Sequence, residues 1–188
     1  MTRIVAGTLG GRRLTAPSGA RTRPTSDRVR EALFNTLETV TTVAGARFVD
    51  LYAGSGAVGL EALSRGAARV LLIEDDPKAA RVVRANIAAL GVAPAARLVT
   101  AGVFTALRAG PGDNGPYDII FADPPYTASD KDIDRLLAAL VDGGWPAPDA
   151  VVVIERSSRS GPVRWVPPIT QLRTRRYGET TLWYGRRS

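Results

Sequence analysis

The chain contains no cysteine and no histidine among its 188 residues. The first absence excludes disulfides, thiolate nucleophiles and cysteine zinc sites. The second removes a common transition-metal ligand and the usual proton carrier of dehydrogenases, so no metal is expected. No apolar run is long enough to span a membrane, and the opening Met1-Thr2-Arg3-Ile4-Val5-Ala6-Gly7 lacks the apolar core of a signal peptide. The default expectation is a soluble, cytoplasmic monomer. Lysine is nearly missing, with only Lys78 and Lys131 against 23 arginines. Codon bias can explain arginine over lysine, but not where the arginines stand. Residues 1–30 hold seven arginines and one acid, and residues 156–188 eight arginines and one acid, whereas the stretch between them has a net charge of −6. An acidic middle flanked by two cationic ends is the footprint of a polyanion-binding protein.

The length suits one domain with a sizeable core. Residues 4–14 alternate around Thr8-Leu9-Gly10-Gly11, which predicts a β-hairpin exposing Arg3, Arg12 and Arg13. Ser26 or Thr25 caps a helix running to about Leu37, with Val29, Leu33 and Leu37 at helical spacing. Strands at 47–51, 69–74, 97–100, 117–122 and 150–155 then alternate with helices at 57–65, 77–90, 103–109 and 130–141. Asp76-Pro77 supplies a cap and a first-turn proline, Ser129 with Asp132 a capping-box start, and Gly91 a helix stop. Such alternation with right-handed crossovers builds a doubly wound parallel α/β sheet. The tail departs from it: 171–177 and 181–184 flank Gly178-Glu179 and read as a terminal hairpin. The segment 156–168, rich in Ser, Gly and Pro, is expected to be a mobile loop.

Two motifs carry chemistry. Asp123-Pro124-Pro125-Tyr126 follows the apolar strand Tyr117-Asp118-Ile119-Ile120-Phe121-Ala122, at the end where open α/β sheets bind ligands. Two prolines stiffen the backbone. A carboxylate and a prolyl carbonyl can then accept both hydrogens of an NH₂ group while the tyrosine ring stacks on the plane that bears it. A proline-rich turn that merely ends a strand explains the tetrapeptide equally well on its own. The second motif is Asp50-Leu51-Tyr52-Ala53-Gly54-Ser55-Gly56-Ala57-Val58-Gly59, a G-x-G-x-x-G turn between strand and helix. Glu74 ends the next apolar run, where an acid accepts hydrogen bonds from ribose hydroxyls. The spacing also fits NAD. Asp50 argues against that reading, because a pyrophosphate loop gains nothing from a negative charge, whereas S-adenosylmethionine (SAM) carries cationic groups and no phosphate.

The spacing of residues 50–56, Glu74 and residues 123–126 resembles the seven-stranded SAM-dependent methyltransferases that modify exocyclic amines. The block Arg23-Pro24-Thr25-Ser26-Asp27-Arg28-Val29-Arg30-Glu31-Ala32-Leu33-Phe34-Asn35, after Arg3-Ile4-Val5-Ala6-Gly7 and Gly11-Arg12-Arg13-Leu14, is more specific. It resembles the bacterial enzymes that methylate N2 of a guanine in 16S ribosomal RNA, and the resemblance runs end to end. It implies a Rossmann-like sheet of seven strands with an antiparallel C-terminal hairpin (41–188) and an N-terminal hairpin-and-helix extension (1–40). It also implies SAM as cofactor and 16S rRNA or the small subunit as partner. Asp123, Pro124, Pro125 and Tyr126 would be catalytic. Asp50, Tyr52, Ala53, Gly54, Ser55, Gly56, Glu74, Asp75 and Val103 would hold the cofactor, with Thr25, Arg28 and Phe34 in a lid beside it. Relatives acting on adenine carry an acid where this chain reads Ala101-Gly102-Val103-Phe104, so contact there rests on backbone and apolar packing. Arg3, Arg12, Arg13, Arg21 and Arg23 are expected to border the cofactor mouth and grip RNA phosphates. Three rivals stay open: a DNA or RNA adenine-N6 methyltransferase, a protein-glutamine methyltransferase, and a non-catalytic nucleic-acid-binding module.

Overall fold

The structure, a computed structural model, describes residues 2–19 and 25–188. Two short strands, β1 (Thr2–Arg3) and β2 (Arg13–Leu14), pair antiparallel; the hairpin expected over 4–14 is thus mostly turn, closed by Ile4 N–H to Arg12 O at 2.9 Å and Gly11 N–H to Ile4 O at 2.8 Å. Helix α1 (Asp27–Val40) follows, its Ser26 hydroxyl accepting from the Val29 N–H. Then come β3 (Arg47–Asp50), α2 (Ala57–Ser64), β4 (Arg69–Glu74), α3 (Pro77–Leu90), β5 (Ala96–Thr100), α4 (Val103–Ala109), β6 (Tyr117–Ala122), α5 (Asp130–Asp142), β7 (Pro146–Ser157), β8 (Ile169–Tyr177) and β9 (Thr180–Arg187). Among the described residues no helix is long and apolar enough to cross a membrane.

Strands β3 to β9 form one sheet in the order β5-β4-β3-β6-β7-β9-β8, parallel except for β9, which is antiparallel to both β7 and β8. The reversal of strand order between β3 and β6 creates a crevice at the carboxyl ends of these strands, where such sheets take ligands. Alternation along each strand feeds two cores. Phe48, Val70, Leu72, Phe121 and Val153 pack with α1, α2 and α3, through Leu33, Phe34, Leu60 and Val83. Val49, Leu71, Ile120, Val152 and Ile154 face α4 and α5, through Leu107, Ile133, Leu136 and Leu140.

The 156–168 segment is anchored, contrary to expectation. Arg156 and Ser157 extend β7, Val163 is buried, Arg156 pairs with Asp130 at 2.5 Å, and Arg164 pairs with Asp134. Serine, glycine and proline signal a bend; the apolar and arginine anchors set between them hold it down.

Candidate active site

Three carboxylates converge where the strands end. Phe48 faces the α1–α3 side and Val49 the other, so Asp50 returns to the first side; the same alternation carries Asp123 and Glu155 there. Ala122 pairs with Ile154 across β6 and β7, so Asp123, just past the end of β6, and Glu155, still within β7, are neighbours. Thr25, just before the α1 cap, covers them. Its hydroxyl lies 3.0 Å from Glu155 Oε2 and 3.4 Å from Asp123 Oδ2.

Burial disfavours charge at Asp50, Asp123 and Glu74. The Asp50 carboxyl is pushed up to about 7 by burial; the Gly59 N–H offsets this in part, and the charge of Glu74 adds to it. Asp123 is held well above the carboxylate range by burial first, then by the charges of Glu155 and Asp50, against the Thr25 hydroxyl. Glu74 is raised by burial, with the Asp76 and Gly54 N–H groups opposing.

The glycine loop divides its work by position. Gly54 (φ 58°) and Gly56 (φ 83°) adopt left-handed backbone, which side chains disfavour. A Cβ built on Gly54 would meet nothing within 4 Å, so that face of the loop is open. A Cβ on Gly59 would strike Leu72 Cδ2 at 2.5 Å and Val70 Cγ1 at 2.9 Å, so this glycine lets α2 sit close on β4. Glu74 locks the turn, taking the Gly54 N–H on Oε2 at 2.7 Å and the Asp76 N–H on Oε1 at 2.9 Å. Each oxygen retains a second lone pair for a hydroxyl. Asp50 takes the Gly59 N–H on Oδ2 at 3.2 Å, while its buried Oδ1 has no hydrogen-bond partner among the described residues. Such an acceptor costs the fold about 1–3 kcal/mol unless a ligand supplies the donor. A cationic ligand without phosphates fits this loop.

Other expected residues are distributed around this centre. Ala53 and Ser55 are buried in the loop, and the Ser55 carbonyl accepts from Asn86 Nδ2 at 2.9 Å. Tyr52 packs on the α4–α5 side, its hydroxyl pushed up to about 12 by burial. Asp75 is exposed beside Glu74, and Val103 opens α4 at the same sheet edge. The Pro125 carbonyl accepts from the Ala128 N–H at 2.8 Å; the Pro124 carbonyl receives no backbone N–H among the described residues. Tyr126 stands 91% exposed, its ring bare for stacking. Arg28 is exposed on the first turn of α1. Phe34 does not belong to a lid: it is fully buried, stacks on Phe48 at 6.0 Å and carries the Arg65 guanidinium at 5.0 Å. The resemblance alone placed it in a lid; it lies beside Leu33 on the buried face of α1.

The amino-terminal hairpin does not border the crevice along its length. Arg3 lies 3.7 Å from Asp27 beside the start of α1. Arg12 donates to the Ala89 carbonyl at 2.7 Å in the last turn of α3, and the turn packs on Ser64 at the end of α2. Both helix ends lie at the sheet edge opposite the glycine loop. Arg13 is exposed between these points, and Arg21 and Arg23 lie outside the described residues.

Two groups escaped the sequence reading. Glu155 carried a legible signal, an acid ending an apolar strand like Asp50 and Glu74. The other group centres on Glu61, fully buried in a mostly apolar helix. Glu61 accepts from the Val5 N–H at 2.8 Å and the Ala6 N–H at 3.0 Å, and pairs with Arg30 at 3.4 Å and Arg65 at 2.9 Å. Arg30, also fully buried, donates to the Thr25 carbonyl at 3.3 Å and to the Arg3 carbonyl. The hairpin, α1, α2 and the Thr25 backbone are thereby one polar assembly.

Comparison with known proteins agrees with this architecture. The model of the family described as "Conserved hypothetical protein 95" matches residues 2–186. Ribosomal RNA small subunit methyltransferase D of Escherichia coli strain K12 is 40% identical over 167 residues, which span 87% of this chain and 80% of that protein. A solved structure of the Escherichia coli protein yhhF superposes with a TM-score of 0.84 at 35% identity, covering 100% of this chain and 98% of the other. An RNA methyltransferase from Salinibacter ruber, solved in complex with S-adenosyl-L-homocysteine, shares the fold at a TM-score of 0.64 and 21% identity, covering 87% and 93%.

Proposed function

The chain belongs to the family described as "Conserved hypothetical protein 95", and from that premise we propose that it transfers a methyl group from SAM to the exocyclic N2 amine of a guanine in small-subunit ribosomal RNA. One observation carries the proposal. A half-buried carboxylate, Asp123, and the Pro124 carbonyl, which has no backbone partner among the described residues, stand at a strand end beside a glycine loop whose acids suit a cationic cofactor. The name of the Escherichia coli relative supports ribosomal RNA as the substrate.

SAM, when bound, supplies an electrophilic methyl group on a cationic sulfur. Asp50, Glu74 and the 53–56 backbone would hold it, with Tyr52, Asp75 and Val103 at its margins and Thr25 and Arg28 above. The protein's remaining task is to present the amine. That nitrogen is a poor nucleophile because its lone pair is delocalised into the ring. Asp123 and the Pro124 carbonyl accept its two hydrogens and turn the lone pair out of the plane, while Tyr126 stacks on the extruded base. Methylation leaves the nitrogen positively charged. Asp123 stabilises that charge and accepts the departing proton, and its raised pKa brings it closer to the working pH of a general base.

Replacement of Asp123 tests this. Asp123→Ala should lower methyl transfer to RNA by about 10² or more with little change in SAM affinity. Turnover near wild type would reduce residues 123–126 to a structural turn.

A further inference from the structure

We propose that the face of β8 and β9 beside α1 is the track by which the RNA backbone reaches the crevice, with Arg173 and Arg175 holding its phosphates. This rests on the ribosomal RNA reading above and adds to it the surface on which the substrate lies.

The cationic tail divides by what its arginines touch. Of the eight in residues 156–188, Arg156, Arg159 and Arg164 pair with Asp130, Glu179 and Asp134. The other five stand in β8 and β9, strands without a single acid. Among the described residues none of these five pairs with a carboxylate. The register sorts them by face. Arg175 lies opposite Leu182 and Arg173 opposite Tyr184, and both partners belong to the core under α1, so these two arginines stand on that side. Arg173 also reaches the helix, donating to Thr39 Oγ1 at 3.1 Å. About three helical turns separate Thr39 from Arg28. The stripe of α1 that meets Arg173 therefore runs past exposed Asn35 to exposed Arg28, above the crevice.

Heights match as well. Arg175 and Glu155 both pair with Leu182, and Ile154 pairs with Ala122, so Arg175 is level with Asp123. Three strand spacings separate them, about 14 Å, a span that nucleotides flanking an extruded base can cross. Because β8 is the outer strand of the sheet, a polymer can lie along this face and continue past it. Each guanidinium has five N–H donors. Arg173 and Arg175 spend theirs on neutral oxygens, Thr39 Oγ1 and the Thr174 carbonyl, which leaves their charge for an anion. A phosphodiester backbone is an anion that repeats along a line.

The test compares Arg173→Gln/Arg175→Gln with wild type and with Arg69→Gln/Arg97→Gln. The second pair removes equal charge at exposed positions of β4 and β5, on the other half of the sheet. Wild type is first incubated with SAM and small-subunit RNA; RNA left unmethylated at this step overturns the proposed function itself. The β8 pair should then lower the slope of log RNA affinity against log salt by about two. It should raise KM for RNA at least about tenfold, with SAM affinity in calorimetry unchanged. The control pair should keep the wild-type slope. A wild-type slope in the β8 pair, with SAM affinity intact, overturns the track and leaves these arginines as guards of an edge strand. Equal losses in both pairs overturn it too, since net charge alone then explains binding. Should the β8 pair fail to fold, photocrosslinking of wild type to the RNA decides: adducts within 169–177 uphold the track, and their confinement to other segments overturns it.

Discussion

Replacing Asp50 by Asn should make the ligand-free protein more stable above neutral pH while weakening its hold on the cofactor. Burial raises this carboxyl from its ordinary 3.8 to about 7. At 1.36 kcal/mol per pH unit, keeping it ionised above that point takes on the order of 4 kcal/mol from the folded state. The sign follows from proton binding. Between the unfolded value near 4 and about 7, the folded state keeps a proton that the unfolded chain has released, so stability falls as pH rises through this window and levels off above it. In Asp50→Asn the amide still accepts from the Gly59 N–H but carries no charge, so this component disappears. Urea denaturation of both ligand-free proteins across the window should show the difference between them growing by up to that amount. Affinity for the cationic cofactor should rise through the same window in the wild type and stay low and flat in the variant. Parallel stability curves would refute the assignment of Asp50 as a buried, ligand-directed charge.

Glu74→Ala should weaken SAM binding by about 1–3 kcal/mol in calorimetry, the loss expected for charged hydrogen bonds, and NAD should bind neither protein; NAD binding tighter than SAM would sink the methyltransferase reading. Glu61→Ala removes the partner of buried Arg30 and the acceptor for two backbone N–H groups. It should destabilise the fold by about 3–5 kcal/mol in denaturant titrations, and a loss below about 1 kcal/mol would mean the hairpin is held by other contacts. Arg12→Ala/Arg13→Ala should lower the slope of log RNA affinity against log salt by about two. Identical slopes would make the hairpin a structural cap and leave RNA to the carboxy-terminal arginines.

The sheet was legible because its signals are local. Strand runs such as 69–74 and 117–122, the cap at Asp76-Pro77 and the stop at Gly91 each specify their element without reference to the rest of the chain. The glycine loop and residues 123–126 were legible for the same reason: each motif is contiguous. Partnerships made by the fold were harder to read. Nothing near Glu61 in sequence announces that it binds the backbone of residues 5 and 6. Glu155 looks like any strand-terminal acid until the register of β6 and β7 sets it beside Asp123. Phe34 was misplaced because a resemblance assigns a segment as a whole, whereas packing against Phe48 decides which of its residues face the core. The hairpin was over-extended because alternation in 4–14 predicts pairing, whereas Gly7 and Gly11 take positive φ and spend those residues on the turn.

The central claim is that this protein methylates an exocyclic amine of guanine in small-subunit RNA. Wild-type and Asp123→Ala protein, incubated with methyl-labelled SAM and small-subunit RNA or particles, followed by digestion to nucleosides, test it most directly. The account predicts label in N2-methylguanosine with wild type and almost none with Asp123→Ala. Label in N6-methyladenosine, or equal label with both proteins, would contradict it.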